Sequence, residues 1–168
     1  MPNLDVEAVL ISQYRATLKM FSQAVAQCPE SLWLSSAYLN QYWHIAYHAL
    51  FYTHLYLHPG EAEFRPWAEH RQDCRFLGPA PGLPENLPKP STPYSQAEIL
   101  DYLAVCNGEV EALVRAVDLA SPSGFSWLPF SRMELHLYNL RHLQHHTGQL
   151  IERLRNAANI GIGWVRSG

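Results

Sequence analysis

Apolar residues recur at the three-to-four spacing of a buried helical face in several stretches of the chain. Over residues 4–26, Val6, Leu10, Tyr14, Leu18, Phe21 and Val25 form such a stripe, which predicts an amphipathic helix. Pro29 ends it, because a proline cannot supply the amide that another turn needs. Residues 37–57 are apolar almost all round, as expected of a helix at the centre of a bundle, and Pro59-Gly60 stops that stretch. A third stretch opens on Ser95-Gln96-Ala97-Glu98 and a fourth on Ser131-Arg132-Met133-Glu134. In each, the serine hydroxyl can accept from the glutamate amide while the glutamate reaches back to the serine amide, a reciprocal cap. Ile99, Leu103, Cys106, Val110, Leu113 and Val117 continue the third as a buried stripe, and the fourth runs to about residue 156.

No segment alternates in the manner of a strand, and no repeat of fixed period is present. Four helices in one chain of 168 residues predict a single all-α domain, a four-helix bundle with either antiparallel or crossover connections. Residues 59–94 stand apart, with eight of the twelve prolines and the run FLGPAPGLPENLPKP at their centre. Such density excludes a long helix. This long Pro-rich connection between the second and third helices is expected to be an extended strap across one end of the bundle. The alternative is a lid anchored by Phe64, Trp67 and Phe76.

Composition narrows the function classes. Hydrophobic residues make up 48% and charged residues 16%, enough to bury a core. The formal charge is −3 and no basic run occurs, which argues against binding nucleic acid, where phosphate neutralisation needs clustered cations. The start, MPNLDVEAVL, has neither the basic nor the apolar region of a signal peptide. Residues 45–57 are too few, and too interrupted by His48 and His54, to span a bilayer. Cys28, Cys74 and Cys106 form no CxxC pair, so neither a disulfide framework nor a cysteine zinc site is expected. A cytoplasmic location fits these features.

The candidate chemistry lies in nine histidines, four within residues 44–58 and four within 136–146. Residues four apart on a helix share a face, so His142 and His146 can converge on one ion. At roughly 100° per residue they share a sector with Leu135, Asn139, Leu143 and Leu150, whereas His145 points away and His136 is poorly placed as a third ligand. The second helix repeats the spacing with His44 and His48 in an apolar setting. Histidines on two core helices are the pattern by which a bundle builds a metal site. The competing account is two separate hydrogen-bonded histidine pairs. His54 and His58 lie further along the helix and are expected away from that ion. No HExxH motif or phosphate-binding glycine signature is present; Glu134 reads as a cap and Glu152 as a surface charge. Trp164 in the terminal GIGWVRSG could pack on the bundle or on a neighbouring subunit; Tyr42, Trp43, Tyr47, Tyr52 and Tyr56 read first as core or interface packing, and the alternative is that the Tyr47 and Tyr138 hydroxyls reach the histidines.

The apolar histidine-bearing second helix, combined with RHLQHHTGQL in the last, resembles the DinB superfamily of YfiT-like helical proteins. The likeness covers the whole chain in its order of helices. It implies a four-helix bundle with a three-histidine site for a divalent metal ion, nickel or zinc. Carried over by position, the ligands are His142 and His146 with His48, or with His44 in its place. Three imidazoles leave a coordination position open, the arrangement of a catalytic site. Relatives of this kind include thiol transferases and a thiol-dependent maleylpyruvate isomerase. The resemblance therefore implies a small-molecule substrate, a low-molecular-weight thiol or a hydrolysable compound, and a homodimer. The alternative is a non-catalytic dimeric bundle that holds a metal or is purely structural.

Overall fold

A computed structural model describes residues 4–78, 90 and 92–168. Among these the regular structure is helical: α1 (Val6–Ala26), a single-turn α2 (Glu30–Trp33), α3 (Tyr42–Leu57), a 3-10 turn (Gln72–Cys74), α4 (Gln96–Arg115) and α5 (Arg132–Ala158). Asp5 caps α1 by accepting from the Ala8 amide at 2.9 Å. The expected reciprocal cap forms in full at Ser95 and Glu98. At Ser131 the hydroxyl accepts from the Glu134 amide, and the neighbouring backbone instead pairs across to Ser121 and Ser123.

The packing order follows from which helices touch. α1 and α3 each lie against both α4 and α5, so the four long helices form a ring with α1 diagonal to α3. Directions follow from named contacts. Arg115 near the end of α4 reaches Glu7 at the start of α1, and Gln96 at the start of α4 donates to the Val25 and Cys28 carbonyls. Those two helices are antiparallel. Arg132 donates to the Tyr56 and His58 carbonyls while His142 meets His48, so α3 and α5 are antiparallel too. Tyr47 packs on Tyr94, and His54 further along α3 pairs with Glu109; α3 and α4 therefore run parallel. Parallel neighbours need a connection that joins opposite ends of the bundle, so the arrangement is a crossover and the link between α3 and α4 does not lie across one end as expected.

Two local expectations change. The second helix begins at Tyr42, not near residue 37. The preceding residues are tied elsewhere: the Asn40 carbonyl accepts from Arg153, its side chain accepts from the Gly78 amide, and Gln41 donates to the Leu34 carbonyl. On α4 the most buried positions are Ile99, Tyr102, Cys106, Val110 and Val114, because aromatic Tyr102 turns the face slightly and leaves Leu103 and Leu113 half-buried.

The described part of the strap is anchored by aromatic rings. Phe64 packs on Phe51, Trp67 stacks on Tyr102 at 4.8 Å, and Arg75 lies over Phe76. Residues 79–89 and 91, the heart of the Pro-rich run, lie outside the described residues. Where the strap begins, Gly124 has φ +85° and its Cα faces the Pro59 carbonyl so closely that any Cβ would overlap it; only glycine fits. Trp164 is 73% exposed, so of its two expected packing places the bundle is not the one that buries it. No described helix is long and apolar enough to cross a membrane.

Candidate metal centre

The antiparallel crossing of α3 and α5 brings His48, His142 and His146 together. Their ring centroids are 5.1, 4.8 and 4.6 Å apart, and one nitrogen from each lies within 4.8 Å of the others. His142 and His146 share a face of α5 because they are four residues apart. His48 reaches them because the antiparallel crossing sets its turn of α3 against the turn of α5 that carries them.

Hydrogen bonds decide which nitrogens face inward. His48 Nδ1 donates to the Arg75 carbonyl at 2.8 Å. His146 Nδ1 donates to Gln149 Oε1, also at 2.8 Å, while Gln149 Nε2 donates to His145 Nε2 at 3.1 Å. Both core histidines therefore carry their proton on Nδ1 and present a lone pair on Nε2. The His48 and His142 Nε2 atoms are 3.2 Å apart. Two ligands at zinc–nitrogen distances in a tetrahedron would be separated by about 3.3 Å, so this edge is already at ligand spacing. Among the described residues, His142 Nδ1 is buried without a hydrogen-bond partner, and the ring's polar contact is the one with His48. The histidine groups could hold a metal ion, and the donor set of three imidazoles suits a borderline divalent cation.

Electrostatics favours ligation over protonation. His142 is pushed down to about 3, first by burial and then by His146 and His145. His146 is pushed down to about 4, mainly by burial, with the Gln149 hydrogen bond opposing it. Burial, followed by repulsion from His146 and His142, holds His48 well below the usual imidazole value. Three imidazoles this close cannot all be charged in a buried setting, so at neutral pH they keep lone pairs free.

Each remaining candidate has a definite place. His44 is one turn away and donates Nε2 to the Cys74 carbonyl at 3.0 Å, so it stands outside the group. His136 is fully buried against Tyr14, whose hydroxyl lies 3.1 Å from its Nδ1. His145 is exposed. Tyr47 and Tyr138 do not reach the three histidines. The Tyr47 hydroxyl is engaged by His70, and Tyr138 packs on Tyr56 and Phe130. Tyr52 takes that place, with its ring 4.8 Å from His48 and 5.7 Å from His142. It lies one turn beyond His48, a spacing visible in the sequence. Gln149, three residues after His146, was equally visible; the Arg75 carbonyl was not, since it arrives from the strap. His54 and His58 form a second group with Glu109 of α4, a partner that only the helix crossing reveals.

In comparisons with known proteins, no family model matches the chain, and neither a curated protein nor a solved structure matches it.

Proposed function

We propose that His48, His142 and His146 hold one divalent ion, nickel or zinc, and that the chain is a metal-dependent enzyme of the DinB type. Its substrate would be a small molecule, transformed by thiol transfer or by hydrolysis. The observation that carries this reading is the convergence of three neutral imidazoles from two helices, two of them with Nδ1 tied back and Nε2 turned inward. A hydrogen-bonded histidine pair would not need a third imidazole nitrogen within 4.8 Å of the other two. A divalent ion at such a site supplies a Lewis acid that makes a bound water or thiol more acidic.

The chain's own residues have separable tasks in this reading. The Arg75 carbonyl and Gln149 fix the orientation and tautomer of His48 and His146, as partners behind metal ligands commonly do. Tyr52 lies against two of the rings and restricts how they turn. With three protein ligands, one coordination position stays available for a small molecule. The test is a turnover screen pairing low-molecular-weight thiols with electrophiles, run on metal-loaded and chelator-stripped protein. Turnover is expected only from the loaded protein and should vanish in His146→Ala. Equal rates from stripped protein, or no turnover from loaded protein across the thiol and hydrolytic screens, would overturn the enzymatic reading. The second outcome would leave a metal-holding bundle.

A further inference from the structure

We infer that a second divalent cation binds between α3 and α4, held by His54, His58 and Glu109. The three side chains present ligand atoms within 4.8 Å of one another. Two imidazoles and a carboxylate are a donor set that zinc takes in sites with an open position. His54 and His58 are four residues apart at the end of α3, with rings 4.8 Å apart. Glu109 arrives from the parallel helix α4, and its Oε2 lies 2.9 Å from His54 Nε2. A shift of a few tenths of an ångström brings that pair to the edge of about 3.3 Å expected for two zinc ligands.

Both imidazoles are braced from behind. His58 Nδ1 donates to the His54 carbonyl at 2.9 Å, which leaves a lone pair on Nε2. His54 Nε2–H donates to Glu109 Oε2, and the Tyr102 hydroxyl, 3.2 Å away, donates to His54 Nδ1; a cation would displace the Nε2 proton to Nδ1, with that hydroxyl turning to accept it. His58 thus repeats the device seen at His48 and His146, with Nδ1 tied to an acceptor and the Nε2 lone pair left over. Phe64 packs on both rings, at 5.1 Å from each. The His54 side chain is buried whereas 44% of the Glu109 side chain is exposed, so a cation can enter from solvent on the carboxylate side. A simple His54–Glu109 hydrogen bond is the competing account. It assigns no task to His58 Nε2, which has no hydrogen-bond partner among the described residues.

The two centres share no ligand. His48 and His54 are six residues apart, about 9 Å along the helix axis and on different sides of it. That separation is too large for one two-metal centre, whose ions lie about 3.5–4 Å apart. The second cation would instead clamp the end of α3 to α4, two parallel helices whose covalent link is the long strap.

The test uses the full chain, stripped with chelator and titrated with Co2+ alone, read by calorimetry and by visible absorption. Wild type should take up two ions. His142→Ala should take up one, and adding Glu109→Gln should weaken that remaining site by about 100-fold or more, beyond the loss typical of a partner behind a ligand. Glu109 is half-exposed, so the glutamine variant should fold, as circular dichroism will verify. Co2+ should raise the thermal midpoint of His142→Ala but not of the double variant. The second centre is overturned if His142→Ala takes up no ion, or if its ion survives both Glu109→Gln and His58→Gln undiminished. Equal uptake by wild type and His142→Ala, with loss in Glu109→Gln, would uphold this centre while refuting the three-imidazole one.

Discussion

The two halves of α5 bury polar side chains for different ends. In the first half, Arg132, His136 and Asn139 face inward and are spent on the fold. Arg132 donates to the carbonyls of Tyr56, His58 and Pro59, and Asn139 donates to that of Thr53 at 3.0 Å. The arginine thereby serves carbonyls that the end of α3 leaves without helical partners, with a cation at the negative end of the helix dipole. In the second half, His142 and His146 turn toward the His48 imidazole, with His146 Nδ1 tied back to Gln149. Burial is common to both halves. What separates the clustered histidines from His136 is the group each faces, Tyr14 for His136 and His48 for the later pair.

Arg132→Ala breaks the first half most severely. It leaves several buried carbonyls unpaired, at a cost of about 3–5 kcal/mol, measured by urea denaturation. His48, His142 and His146 stay in place, so the ion uptake proposed for them should persist at a permissive temperature. A loss under 1 kcal/mol would show that water or a rearranged strap serves those carbonyls equally well.

Acid should sharpen the comparison next. His136 is pushed down to about 4, by burial first and then by Arg132, against an unfolded value of about 6.5. The unfolded chain therefore takes up the proton first as pH falls. The stability is fully present above about pH 6.5 and is lost as pH drops through about 4. Between pH 7 and 4.5 the metal-free protein should lose on the order of 3 kcal/mol from this residue alone. His136→Phe should flatten that part of the stability profile, and an unchanged slope would contradict the assignment. The smallest effect is expected in the second half: Gln149→Ala should weaken metal affinity by about 10–100-fold while shifting the urea midpoint little. A large stability loss with unchanged affinity would place Gln149 with the structural residues instead.

The sequence carried different amounts of this in different places. Ser95 and Glu98 announced their cap because the interaction is local, complete within four residues. The spacing of His142 and His146 announced a shared face, and Leu135 and Leu143 told which face was inward. α3 offered no such guide: 14 of its 16 residues are buried, so its pattern has no polar side from which to read the direction of His44 or His48. That direction depends on the strap, whose Cys74 and Arg75 carbonyls receive the two rings separately. Glu109 was unreadable for a related reason. Its meeting with His54 depends on α3 and α4 being parallel, and nothing local in either helix states that. The start of α3 was misplaced because the ties of Asn40 to Gly78 and Arg153 are long-range.

The central claim is that His48, and not His44, completes the group on α5. The most direct measurement is metal content per chain after loading with Zn2+ and dialysis at neutral pH, compared among wild type, His48→Ala and His44→Ala. His48→Ala should hold one ion fewer than wild type, since two imidazoles are too few for tight retention, and His44→Ala should hold the same number. The reverse pattern, or undiminished content in both variants, would contradict the three-imidazole centre as described.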